Sequence, residues 1–330
     1  MKIAKTLCIA AGMTMLSGSA LAQYDADDLL GTWDARLEGT DGAATVRIVF
    51  TEDGHYLALA QVEGQDEPVP FWQVGEWDLD DDVIAFDVLQ SSESIGEADE
   101  HSEVTITRLT ATEFRGTAED DPMWGQMSFE RVVPGPLVGI WQGEGEEGEM
   151  TFCMGCGGGA AGPFAASLDD GGGDVVWGHW TPRGDSIMFE VTEVEWEELG
   201  EDAPEFDEAR GRVEEVDDGV MVLQIDELGD EAIEFERVAS DPFVGEWRAE
   251  MEGNRFTLDI GDNAMFEVEM RGDGEREGFG GIWTNLGDGV LFFAPIDSDE
   301  DPVVMLVQFT SPDTLMIGED WDEMLAFERQ

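Results

Sequence analysis

The sequence predicts an all-β protein built from three tandem antiparallel domains of about 100 residues each, either up-and-down barrels or sandwiches. Three landmarks recur in the same order in three copies: an opening Gly-x-Trp, a second Gly-x-Trp and a closing Phe-Glu-Arg. The opening tryptophans are Trp33, Trp141 and Trp247, the second ones are Trp77, Trp180 and Trp283, and the closing arginines are Arg131, Arg237 and Arg329. Such a long period is typical of whole domains rather than of short solenoid repeats.

Within copy one, short β-rich runs alternate with turn signals, which is the pattern of an antiparallel meander. Val46, Ile48 and Phe50 alternate with polar or smaller residues and would share one face opposite Arg47. Eight strands are predicted, at Thr32–Leu37, Ala44–Thr51, His55–Val62, Phe71–Leu79, Val83–Val88, Val104–Leu109, Glu113–Thr117 and Gln126–Val132. Hairpin turns are expected at 52–54 in copy one and at 261–263 in copy three.

Proline and glycine after each closing phrase place the domain boundaries. The chain divides into a signal peptide at 1–22 and β-domains at 23–134, 135–240 and 241–330. The linkers are short, so neighbouring domains are expected to lie close together. Three acidic inserts, at 90–102, 195–208 and 297–302, follow the fifth strand of each copy and are expected to be solvated loops.

The first 22 residues have the order of an export signal: basic Lys2 and Lys5, an apolar stretch over 7–16, and small residues before Ala22. Cleavage after Ala22 would give a periplasmic or secreted protein. No later segment reaches the roughly 18 apolar residues of a membrane-spanning helix.

The net charge of −61 is the dominant physical property of the chain. Salt shortens the Debye length from about 10 Å at 0.1 M to about 3 Å at 1 M, so we interpret the acidity as adaptation to a saline habitat. A surface that captures cations or a basic partner is the alternative. Nucleic acid is excluded as a partner, because phosphate binding requires basic patches, and anionic membrane surfaces are disfavoured for the same reason.

With these landmarks, each copy resembles a small lipocalin-like (calycin) domain. In that family a Gly-x-Trp near the first strand packs beneath an arginine of the last strand and closes one end of an up-and-down barrel. The resemblance implies three structural pairs: Trp33 with Arg131, Trp141 with Arg237, and Trp247 with Arg329. A guanidinium over an indole face is stabilising, which agrees with such a pairing. The copies are shorter than a typical lipocalin, and copy three is the shortest, so it is the least expected to enclose a ligand.

Five tryptophans near the second Gly-x-Trp are candidate ligand-binding residues: Trp72, Trp77, Trp177, Trp180 and Trp283. Aromatic side chains lining a cavity are one way to hold an apolar ligand. Core packing is the alternative role for the same residues.

Copy two departs from the others at Cys153 and Cys156, which stand three residues apart before a run of glycines. In an oxidising compartment this spacing predicts a disulfide loop. A redox pair and a metal site that includes His179 are the alternatives, although a tetrahedral metal site needs further ligands. Calcium binding by Asp78–Asp82 or Asp297–Asp301 is a weaker hypothesis, because neither has EF-hand spacing. We assign no catalytic residue, resident metal or cofactor.

We therefore expect a non-enzymatic exported protein that binds a small apolar ligand or a component of the cell envelope. An enzyme or metal-binding protein centred on Cys153, Cys156 and His179 is the first alternative. A structural protein whose domains act as salt-tolerant spacers is the second.

Overall fold

The structure is a computed structural model, and the protein is all-β, with three antiparallel closed barrels in tandem. The described residues are 24–39, 42–62, 71–92, 101–118, 127–133, 135–145, 148–155, 162–169, 174–183, 186–195, 208–217, 219–226, 232–251, 253–272, 275–287, 289–296, 300–321 and 323–330. The predicted signal peptide at 1–22 and most of the three acidic inserts lie outside them. The described part of the chain holds no helix with the length and hydrophobicity needed to cross a membrane.

Barrel 1 is an eight-stranded meander in which each strand pairs with the next and the last pairs with the first. A 3-10 turn at Ala26–Asp28 precedes it. Its strands are β1 (Gly31–Gly39), β2 (Gly42–Phe50), β3 (His55–Val62), β4 (Phe71–Asp80), β5 (Val83–Ser91), β6 (His101–Leu109), β7 (Glu113–Thr117) and β8 (Phe129–Arg131). All eight predicted strands of copy one are confirmed. The choice between barrel and sandwich is settled by closure of β1 on β8, which leaves no free sheet edge among the described strands of barrel 1.

Barrel 2 repeats the same order of strands. They are β9 (Gly139–Gly145), β10 (Gly148–Met154), β11 (Gly162–Asp169), β12 (Asp174–Arg183), β13 (Ser186–Glu195), β14 (Glu208–Val216), β15 (Val220–Ile225) and β16 (Ile233–Ala239).

Barrel 3 follows after a short connection and closes β17 on β24. Its strands are β17 (Gly245–Met251), β18 (Asn254–Ile260), β19 (Met265–Gly272), β20 (Glu275–Gly287), β21 (Val290–Pro295), β22 (Val303–Ser311), β23 (Thr314–Gly318) and β24 (Leu325–Arg329).

Each barrel has two unlike ends, because successive connections of an up-and-down barrel alternate between its ends. We call the end that holds the first tryptophan and the closing arginine the sealed end. In barrel 1 the connections β2–β3, β4–β5 and β6–β7 lie there, and each is short. The opposite end, here the loop end, carries β1–β2, β3–β4, β5–β6 and β7–β8. The strand ends that flank the three acidic inserts therefore lie at the loop ends.

The interior of barrel 1 is built from aromatic rings that meet across it. The Phe50 ring lies 5.0 Å from Trp77, 6.0 Å from Phe86 and 6.5 Å from Phe114, measured between ring centroids. The pairs with Trp77 and Phe114 are edge-on and the pair with Phe86 is tilted, and aromatic pairs at such distances add to the hydrophobic stabilisation of a core. These rings share the interior because side chains alternate between the two faces of each strand.

The chain forms two compact units, one holding barrel 1 and the other holding most of barrels 2 and 3. In the second unit, β22 packs against β11 and β12. Four outward-facing side chains of barrel 2 are buried in one apolar cluster with residues of barrel 3: Ile140, Cys153, Ala165 and Trp177. Burial of an outer face gives barrels 2 and 3 a shared hydrophobic core.

Candidate functional site

The structure places each closing arginine over the tryptophan with which the sequence pairs it. The guanidinium carbon lies 4.1 Å from the ring centroid for Arg131 over Trp33, 4.4 Å for Arg237 over Trp141 and 4.1 Å for Arg329 over Trp247. All three indoles are fully buried. The geometry is that of a cation–π contact at the edge of the core.

Backbone carbonyls fix both partners of each pair. Every opening indole donates its N–H to the carbonyl four residues earlier, as Trp33 does to Leu29 at 2.7 Å. Arg131 donates to the carbonyls of Leu30, Asp28 and Ala111. The guanidinium therefore ties the entry to β1, the β6–β7 turn and β8 together. Burial lowers the pKa of Arg131, yet an arginine remains charged at neutral pH.

The glycine of the opening Gly-x-Trp is required by its backbone. Gly31 has φ of +103° and Gly245 has φ of +140°, a region that residues with a Cβ rarely adopt. A Cβ at Gly31 would also lie 3.1 Å from a terminal nitrogen of Arg131. The repeated phrase thus encodes the sealed end, not a ligand site.

The second tryptophans serve the same end of each barrel. Trp77, Trp180 and Trp283 are buried and donate their indole N–H to the carbonyls of Thr51, Gly155 and Gly261, which each follow the second strand of their barrel. The preceding Gly75 and Gly178 permit a close approach, since a Cβ there would lie 2.0 Å from a carbonyl oxygen of the neighbouring strand. These three candidate ligand-binding residues have the surroundings of core side chains.

The five candidate tryptophans do not form one site. Trp72 faces outward from β4 and is partly buried, while Trp77 on the same strand faces the interior. Trp177 likewise faces outward and lies in the cluster shared by barrels 2 and 3, whereas Trp180 belongs to the core of barrel 2.

Cys153 requires a correction to the sequence interpretation. It lies inside strand β10, opposite Ile140 and Ala165, rather than at a hairpin tip. Its side chain is a fully buried free thiol, so the predicted disulfide is not formed in this structure; Cys156 lies outside the described residues. Burial raises the pKa of the Cys153 thiol well above its ordinary value, although Arg329 acts in the opposite direction. A protonated, inaccessible thiol is a poor nucleophile and a poor metal ligand.

His179 is partly buried at an outward-facing position of β12, opposite Pro163 and Glu190. Within the described residues, no group of three or more histidine, cysteine, aspartate or glutamate side chains has a metal-binding arrangement. The described members of the calcium candidate at 78–82 form the end of β4 and its turn to β5. The second calcium candidate lies partly outside the described residues.

The loop end of barrel 3 holds a feature that the sequence analysis missed. Two of the six large apolar side chains that the described chain exposes lie there, Met251 at 47% and Trp321 at 58% exposure, and a third, Phe279 at 38%, lies farther along β20. Met251 ends β17, Phe279 packs edge-on against the inner ring of Phe266 at 6.0 Å, and Trp321 lies between β23 and β24. Alternation could have placed Met251 and Phe279 on the inner face, because each stands four residues from an inward-facing tryptophan, but it gives no information about their exposure.

We compared the chain with protein-family models, curated proteins and solved structures, and none of them matches it.

Proposed function

We propose that this is an exported, non-enzymatic binding protein with lipocalin-like barrels, and that it takes a small apolar ligand at the loop end of barrel 3. The observation that carries the proposal is the exposure of three large apolar side chains of barrel 3: Met251, Phe279 and Trp321. Met251 and Trp321 both belong to the loop end, and exposed apolar side chains on the same part of a surface indicate a binding surface.

The other end of the barrel supports the same choice. Trp247, Arg329 and Phe243 fill the sealed end of barrel 3, where the Phe243 and Phe309 rings stack at 5.1 Å. A ligand would therefore have to approach barrel 3 from the loop end. The proposal also includes export and an acidic surface, which are inferred from the sequence.

The surroundings of the three side chains favour an uncharged ligand. Glu250, Asp320 and Glu323 stand beside Met251 and Trp321 in the sequence, so an anion would be repelled. The apolar contact itself supplies the affinity, at about 25 cal/mol per Å² of buried apolar surface.

The test uses N-phenyl-1-naphthylamine, a neutral apolar dye whose fluorescence increases on burial. We expect saturable binding by the full chain and a loss of at least about tenfold in affinity for the Phe279→Gln, Trp321→Gln double variant. Val238→Gln is the matched control, because Val238 is an exposed apolar residue on β16 of barrel 2 at 57% exposure. An equal loss of dye affinity in the double variant and in Val238→Gln, or no saturable dye binding by the wild type, would reject this site.

A further inference from the structure

The interiors of the three barrels can be compared position by position, because the strand registers align them. Tyr56 pairs with Phe50, as Phe164 pairs with Met154 and Phe266 with Ile260. Each of these rings packs edge-on against an inner phenylalanine at 4.9 to 5.0 Å, namely Phe86, Phe189 and Phe293. Tyr56, Phe164 and Phe266 are therefore equivalent, and barrel 1 has a hydroxyl where the other two have none.

Two more positions of this layer are polar only in barrel 1. Ser102 pairs with Phe86, whereas Ala209 pairs with Phe189 and Val303 with Phe293. Gln73 stands two residues before the second Gly-x-Trp, where the other copies have Val176 and Phe279. The layer is thus Tyr56, Gln73 and Ser102 in barrel 1 and entirely apolar in barrels 2 and 3.

The polar groups of barrel 1 are buried and incompletely satisfied. Gln73 donates from Nε2 to the Tyr56 hydroxyl oxygen at 2.8 Å, and both side chains are buried. The Ser102 hydroxyl is buried at 2% exposure and has no hydrogen-bond partner among the described residues. A buried hydroxyl without a partner is unfavourable by about 1 to 3 kcal/mol, so such a group points to a further molecule in the interior.

Two neighbouring inner positions of barrel 1 carry smaller side chains than the equivalent positions of barrels 2 and 3, which would leave room for such a molecule. The pair Val46 and Ala60 of barrel 1 corresponds to Met150 and Leu168 in barrel 2 and to Phe256 and Met270 in barrel 3. Ala58 corresponds to Ala166 and Val268 by the same registers.

We propose that the interior of barrel 1 is a second binding site, for a small uncharged molecule that carries a hydroxyl or carbonyl group. Tyr56, Gln73 and Ser102 hold the polar group, and the alanine-lined wall accommodates the apolar part. The three polar side chains are neutral, and burial keeps the Tyr56 phenol protonated by raising its pKa. A carboxylate would have to leave water without a cationic partner in this layer, which is strongly unfavourable.

This site shares no residue with the one at barrel 3, and it goes beyond the proposed function. We would titrate the full chain with benzyl alcohol and, separately, with benzoate, which has a similar shape and a negative charge. Calorimetry should give one saturable site per chain for benzyl alcohol and at least about tenfold weaker binding of benzoate. Absent or non-saturable binding of benzyl alcohol, or equal binding of benzoate, would overturn the inference.

Two variants assign the binding to barrel 1. The triple variant Tyr56→Phe, Gln73→Val, Ser102→Ala introduces the residues that barrel 2 already tolerates, so we expect a folded protein with at least about tenfold weaker benzyl alcohol binding. Ala60→Leu, which introduces the side chain that barrel 2 has at the equivalent Leu168, should block the site sterically, whereas Met270→Leu at the equivalent position of barrel 3 should not. Unchanged affinity in both barrel 1 variants would place the alcohol elsewhere and refute the proposal.

Loss of naphthylamine binding in the Phe279 and Trp321 variant tests barrel 3 independently.

Discussion

Replacing Arg131 by alanine tests whether the sealed end stabilises barrel 1. The side chain contributes a cation–π contact at 4.1 Å, worth about 1 kcal/mol when partly desolvated. It also donates to three carbonyls, of which those of Asp28 and Ala111 are at 2.5 and 2.8 Å. Charge-assisted hydrogen bonds are stronger than neutral ones, but these are partly exposed, so about 0.5 kcal/mol each is reasonable. We expect a total loss of about 2 to 3 kcal/mol.

Arg115 provides the matched control. It lies on β7 of the same barrel, is half-exposed and pairs with Glu113 at the surface. Exposed ion pairs contribute about 0 to 1 kcal/mol, so Arg115→Ala should have a small effect. Arg131→Lys keeps the charge but loses the planar donor geometry, and its effect should fall between the two.

The measurement must report barrel 1 separately, because a chain of three barrels need not unfold in one step. Native-state hydrogen exchange followed by mass spectrometry gives opening free energies for the peptides of β1, β2 and β8 in the full chain. The reasoning is refuted if Arg131→Ala lowers these free energies no more than Arg115→Ala does.

Three further predictions follow from charge and burial. The thermal midpoint of unfolding should rise between low salt and about 1 M sodium chloride, because screening weakens self-repulsion in a chain of net charge −61. Calorimetry measures this midpoint, and a midpoint that stays constant or falls would contradict the halophilic interpretation. The Cys153 thiol should resist iodoacetamide in the native protein and react after unfolding, as mass spectrometry of the Cys153 peptide can show; an unreactive thiol in the unfolded, unreduced chain would instead establish the predicted disulfide. Burial raises the pKa of Asp241, so its ionised form destabilises the fold above that pKa, and the penalty disappears as pH falls below the value in the unfolded chain. Asp241→Asn should therefore increase the unfolding free energy at pH 7 but not at pH 3, and an equal change at both would show that ionisation is not the cause.

The repeated landmarks made the fold predictable, since they mark positions with strict backbone or packing requirements. Gly31 needs a left-handed φ, Trp33 needs a buried cavity, and Arg131 needs both the indole and the carbonyls around it. Such requirements recur wherever the barrel recurs, so three copies reveal them without any other sequence. The strands of copy one followed from alternation and turns for the same reason.

The candidate site was predicted less well, because proximity along the chain was taken for proximity in space. Trp72 and Trp77 are five residues apart on one strand, and an odd separation places them on opposite faces. Trp177 and Trp180 are separated in the same way, and the outward-facing Trp177 is buried only because barrel 3 covers it. Alternation identifies which side chains face outward, but it does not contain the information about what packs against them. For the same reason the sequence did not reveal that Cys153 is a buried core residue, because the side chains that cover it belong to barrel 3.

The three copies also show which parts of the barrel are free to diverge. The sealed end tolerates little change, because each of its residues satisfies several constraints at once. The middle layer is constrained only in volume and polarity, and here Tyr56 replaces a phenylalanine and Ala60 replaces a leucine or methionine. A polar substitution in a core is destabilising unless something compensates for it. Barrels 2 and 3, which lack the polar layer, show that the fold does not need it, so the polar residues of barrel 1 are better explained by binding than by stability.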